Sequence, residues 1–124
     1  MTLDNSTWRL VRLTGDGAPD AAPTPDHPIT LAFVANDDGS RSIAGSGGVN
    51  RYMTTYTTTG DTTTGDDLTI GPAASTRMMG PPEAMALEGR YLQALATATR
   101  YEEVSDDLTI FYAGGELRFT RALP

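Results

Sequence analysis

The chain has 124 residues, 39% of them hydrophobic, with 16 acidic against 9 basic side chains and a formal net charge of −7. That length suits a single domain, which can bury about two thirds of its unfolded surface without a covalent staple, and the absence of cysteine excludes disulfides, thiolate zinc sites and cysteine nucleophiles. The acidic balance disfavours nucleic acid and anionic membrane surfaces, which call for a basic face, and no run approaches the ~20 apolar residues of a membrane-spanning helix.

The opening MTLDNSTWRL has neither a basic start nor an apolar run, so no signal peptide is visible and a site of action where the chain is made, or a trimmed sequence, is expected. Lack of cysteine fits a reducing compartment without requiring one. All nine basic residues are arginine, which reads as compositional bias. Thr7 to Leu13 is predicted as a strand, with Trp8, Leu10 and Arg12 on one face and Arg9, Val11 and Leu13 on the other. Residues 14–28 contain Pro19, Pro23, Pro25 and Pro28, so an exposed connecting loop is expected. Ile29 to Val34 alternates, and the turn Asn36-Asp37-Asp38-Gly39 before Ser42 to Ala44 predicts a hairpin. The run 45–50 is too glycine-rich for regular structure to be expected.

Tyr52 to Thr59 reads as a strand ending in a Gly60-Asp61 turn. Eight of the eleven residues from Thr54 to Thr64 are threonine, and this β-branched array predicts an exposed hairpin in preference to an ice- or glycan-binding face. Asp-Asp-Leu-Thr-Ile occurs at 66–70 and again at 106–110, which predicts two hairpins entered by the same turn chemistry. A helix is expected over about 81–97. Its two prolines suit the first turn and Glu83 the positive end of its dipole, while Ala84, Leu87, Tyr91, Ala94 and Ala98, widened by Leu92 and Leu95, form one apolar stripe. Three strands, 100–104, 108–112 and 116–120, finish the chain, with Gly114-Gly115 as the last turn. The fold class is therefore α+β, a curved antiparallel sheet packed on one helix.

Candidate chemistry is sparse. His27 is the only histidine and lies between Asp26 and Pro28 with nothing local to orient it, so a solvated loop residue is expected. One histidine and no cysteine make a transition-metal site improbable, and neither metal nor cofactor is expected. The pairs Asp37/Asp38, Asp66/Asp67 and Asp106/Asp107 lack the alternating spacing of a calcium loop, since adjacent aspartates in a tight turn point apart. The glycine run at 45–48 lacks the lysine and helix of a phosphate loop.

Several stretches in fixed order carry a family resemblance. They are Trp8-Arg9-Leu10, Ile29 to Phe33, Ile43-Ala44-Gly45-Ser46-Gly47-Gly48-Val49-Asn50-Arg51-Tyr52, Leu68 to Gly71, Ser75-Thr76-Arg77-Met78-Met79, and Met85 to Leu95 with its Glu-x-x-Tyr-Leu core. Tyr101, Leu108 and Leu117-Arg118-Phe119 complete them. In this order they resemble the META domain, the family of HslJ-like heat-shock proteins, over nearly the whole chain. The resemblance implies a small cracked β-barrel like that of secretion pilot proteins, with the helix across the sheet, and no enzymatic activity. It also implies an envelope location, which the missing export signal leaves open. The family commonly places cysteines where this chain has Val49 and Gly80, and the two are absent together, as expected of a lost partnership.

Two functions are compatible with that resemblance. The first is a non-catalytic, envelope- or stress-associated domain that binds a protein partner or assists assembly, expected as a monomer. The alternative is a carrier of a small, apolar, lipid-like ligand held between helix and sheet. They differ in whether Leu10, Leu31, Phe33, Leu87, Tyr91, Leu92, Leu95, Ile110 and Phe119 close-pack or line a cavity of roughly 300 Å³ or more. Any functional surface is expected at Asn50, Arg51, Tyr52 and Arg77. The structural alternative has Asn50 serving turn backbone, Tyr52 packing and Arg77 pairing with a nearby acid.

Overall fold

The computed structural model describes residues 5–15, 17–59 and 65–122. Eight strands form the barrel: β1 (Ser6–Gly15), β3 (Thr30–Ala35), β4 (Arg41–Ser46), β5 (Arg51–Thr59), β6 (Gly65–Ile70), β8 (Ala98–Val104), β9 (Asp107–Tyr112) and β10 (Gly115–Arg121). Two short strands, β2 (Ala18–Ala21) and β7 (Ala74–Ser75), lie outside it, and one helix, α1 (Pro82–Ala96), precedes β8. The strands pair antiparallel in the order β1-β3-β4-β5-β6-β8-β9-β10, and β10 returns to β1 to close the barrel. Closure removes the unpaired edges that an open sheet of this size exposes.

Inward positions alternate along the strands as a half-buried pleat requires. Trp8, Leu31, Phe33, Ile43, Tyr52, Leu68, Leu108, Ile110, Leu117 and Phe119 are all buried. The helix lies against the C-terminal end of β1, the β4–β5 turn and β6. Tyr91, Ala94 and Leu95 are buried against the barrel, and the Arg90 guanidinium donates to the Gly15 and Pro19 carbonyls at 2.9 and 2.8 Å.

Three expectations change. The alternation of β1 is not regular: a bulge between Leu10 and Arg12 shifts its register with β10. Val11 and Arg12 therefore both face outward, and Leu13, expected on the face opposite Trp8 and Leu10, is buried with them. The proline-rich connector contains a strand, since β2 pairs with the end of β1. Pro19 is tolerated there because β2 has a neighbour on one side only. The glycine run is partly regular, because β4 continues through Gly45 and Ser46 and Gly47 bridges to Ile29. The short strand β7 is not among the expected elements, whereas the remaining strands, the β3–β4 hairpin and the helix fall at the expected positions within a residue or two. The threonine-rich turn at 60–64 lies outside the described residues.

Candidate functional site

The glycine–asparagine motif builds the turn between β4 and β5. Gly48 has φ +108°, which a side chain rarely tolerates, and the Gly47 N–H closes the turn on the Asn50 carbonyl at 2.8 Å. Gly47 also faces the helix: a Cβ there would lie 2.8 Å from Glu88 Cγ. That absent side chain lets Glu88 reach the turn. Glu88 Oε2 accepts from the N–H groups of Val49 at 2.9 Å and Asn50 at 2.6 Å, while Oε1 accepts from Asn50 Nδ2 at 2.8 Å. The carboxylate is 5% exposed, and three charge-assisted hydrogen bonds compensate its burial.

Asn50 joins this turn to a second segment. Its Nδ2 also donates to the Met78 carbonyl at 3.2 Å, and its Oδ1 accepts from Met78 N–H at 2.6 Å and from Thr76 Oγ1 at 2.9 Å. An asparagine side chain offers two donors and an acceptor with two lone pairs, and here all four are used. Helix, turn and the chain before the helix are therefore fixed to one another by one buried amide.

Next along β5, Tyr52 points into the barrel. Its hydroxyl donates to the Thr30 carbonyl at 2.7 Å, which leaves Tyr91 as donor in the 2.6 Å contact between the two hydroxyls. Their rings meet edge to face with centroids 5.7 Å apart, and Tyr91 stacks similarly on Phe119 at 6.4 Å. Burial pushes the pKa of both phenols up, and for Tyr91 the neighbouring Tyr52 adds to the effect. Neither exchanges a proton near neutral pH.

The four residues expected at a functional surface divide. Arg51 and Arg77 are exposed, and neither is ion-paired among the described residues. Asn50 and Tyr52 are 4% and 1% exposed, because a polar hub and an interior aromatic are what close the turn and the barrel, so neither reaches a ligand at the surface. Arg77 lies in an extended stretch, residues 72–79, whose every residue is exposed. Three large apolar side chains are exposed in the same region: Met53 on β5 at 62%, Met78 at 57% and Met79 at 89%.

Val49 and Gly80 come together. A Cβ built on Gly80 would lie 3.4 Å from Val49 Cβ and 2.8 Å from its Cγ2. His27 is half-buried, and its Nδ1 lies 3.1 Å from the Gly48 carbonyl. It ties the proline-rich segment to the turn, a contact that its sequence neighbours do not suggest. Beside it lies a cleft of about 120 Å³, lined by residues of the proline-rich segment, Gly47, Gly48 and the first turns of α1. Sequence reasoning missed Glu88 as a site residue. The signal was present, because Glu88 falls four residues after Ala84 and three before Tyr91, on the apolar stripe itself.

The META domain family model matches residues 1–123. Among solved structures, the chain is similar to a protein from Burkholderia xenovorans determined by NMR, with 25% identity and a TM-score of 0.77 over 98% of this chain and 85% of that one. A second NMR structure aligns with 20% identity and a TM-score of 0.61 over 97% and 94% of the two chains, a likeness of fold. No curated protein matches the sequence.

Proposed function

We infer, from the premise that this chain belongs to the META domain family, that it is a non-catalytic domain acting through its outer surface on a protein partner, in an envelope- or stress-associated role. The observation that carries this reading is the buried aromatic core. Trp8, Phe33, Tyr52, Tyr91 and Phe119 are each no more than 2% exposed and interlock where a carrier would hold its ligand. The cleft beside the helix N-terminus, at about 120 Å³, falls below the ~300 Å³ of an ordinary small-molecule site. Larger hollows beside Val11 are open depressions on the outer face of β1.

The titratable groups favour the same reading. Glu88 is committed to three N–H donors, the two interior phenols are held neutral by burial, and His27 is engaged by a turn carbonyl. None of the three buried groups, Glu88, Tyr52 and Tyr91, lines the cleft beside His27, where an acid or a base would need to stand. Native mass spectrometry of protein purified gently from its own host tests the proposal. The expected species are the bare chain and a complex heavier by the mass of a protein. A reproducible adduct of a few hundred daltons would show a carrier instead.

A further inference from the structure

We propose that the extended segment between Pro72 and Pro81 is a docking edge for an acidic, extended stretch of another protein, which adds as a strand beside β7. The inference rests on the partner-binding reading and names the surface and the chemistry it recognises.

The segment is an edge strand at Ala74–Ser75 and carries its pairing one residue further. Met53 pairs with Ala74 and Tyr52 with Ser75. The Thr76 N–H continues the ladder to the Arg51 carbonyl at 3.0 Å, and Met78 N–H turns inward to Asn50. Alternate groups therefore point the other way, and the N–H groups of Arg77 and Met79 have no hydrogen bond among the described residues. β7 pairs with β5 alone, and residues 72–79 are exposed throughout. An uncovered edge of this kind is the template for strand addition.

Its side chains specify the occupant. Three methionines, Met53, Met78 and Met79, offer flexible thioethers that adapt to apolar partners. Between them stand Arg51 and Arg77, without an ion pair among the described residues of a protein of net charge −7. On so acidic a molecule a polyanion is repelled at long range, whereas a short segment with one or two carboxylates meets local complementarity. Because Arg51 and Met53, and Arg77 and Met79, are each two residues apart, a strand carrying an acidic and an apolar residue on the same face satisfies both features.

The edge is also held in place. Asn50 bonds Met78 through both its N–H and its carbonyl, and Glu88 in turn fixes Asn50 from the helix. A buried polar network that anchors an exposed, unpaired segment keeps its backbone extended and ready to pair, which lowers the ordering cost of binding.

The test uses the intact protein, ¹⁵N-labelled, titrated with a capped octapeptide of paired glutamates and paired leucines, Glu-Glu-Leu-Leu twice over, which sets both residue types on each face. The glutamine–leucine and lysine–leucine peptides serve as charge controls. The expected result is saturable amide shifts at residues 74–79 and at Arg51 and Met53. Affinity should fall at least tenfold in the Arg51→Glu/Arg77→Glu double variant, whose spectrum checks its fold, and stay unchanged in Arg9→Glu, on the outer face of β1. Equal binding of the acidic and neutral peptides, or no binding of any, overturns the proposal. Shifts centred on another surface overturn it too, while leaving the partner-binding reading intact. That reading fails separately, if the purified protein retains a small apolar molecule.

Discussion

Cysteines placed together at Val49 and Gly80 should form a disulfide that stabilises the protein, and the structure sets the size of the effect. A Cβ on Gly80 lies 3.4 Å from Val49 Cβ, close to the roughly 3.5–4.5 Å that disulfides span. The bond would close a loop of about 31 residues, worth ~3.7 kcal/mol in the chain-entropy estimate. The slightly short approach and the loss of one valine methyl, about 0.8 kcal/mol, reduce this to about 2–3 kcal/mol. For a chain of this length that is a rise in Tm of about 8–12 °C. Gly80→Cys alone should be destabilising by about 1–3 kcal/mol, because its Cβ meets both Val49 methyls at 2.8 and 2.9 Å. Val49→Cys removes those methyls, so the reduced double variant should be more stable than Gly80→Cys alone, a coupling that a double-mutant cycle measures. Thermal and urea unfolding with and without reductant, alongside a free-thiol count, reads all of this. If the thiols stay free under oxidising conditions, or the oxidised and reduced forms melt together, the juxtaposition is wrong.

Three further outcomes follow from the interior. Asn50→Ala strands partners on Glu88, Thr76 and Met78 and should cost at least about 2 kcal/mol. Asn50→Asp should cost more at pH 7, because it sets a second carboxylate against Glu88 in place of a donor, and urea titrations check both variants. Leu95→Ala, at a site 1% exposed, should lose about 2–5 kcal/mol; partly buried Leu92→Ala should lose less, and exposed Gln93→Ala should be nearly silent in the same assay. Tyr52 and Tyr91 have raised folded-state pKa values, so the unfolded chain ionises first, near pH 10. Their contribution is complete below that pH and is lost as the pH climbs from there toward the folded values, by up to about 1.4 kcal/mol per pH unit for each phenol. Tyr52→Phe should flatten this alkaline slope, and an unchanged slope would place the rise elsewhere.

The sequence made most of the barrel readable because period-two alternation and turn chemistry are local. Phe33 and Leu31, the Asp-Gly turn and the repeated Asp-Asp-Leu-Thr-Ile entries all signal strands without reference to anything distant. What it hid depends on tertiary pairing. The bulge that turns Leu13 inward is set by the register of β1 against β10, from the far end of the chain. Pro19 looked like a strand breaker because its neighbour on one side only could not be foreseen. At the candidate site, the sequence singled out Asn50, Arg51, Tyr52 and Arg77 but not their division into interior and surface. Asn50 is buried because Glu88, thirty-eight positions later, supplies its partners. A charged residue on an apolar helical stripe was the one local clue that a buried polar contact existed.

Central to this account is a barrel closed by its own side chains, which directs function to the outside. Titrating the ¹⁵N-labelled protein with a medium-chain fatty acid tests that most directly. The filled interior predicts no saturable shifts at Tyr52, Tyr91, Leu95 and Phe119 up to the solubility of the ligand. Saturable shifts centred on those four residues would contradict it and make the domain a carrier.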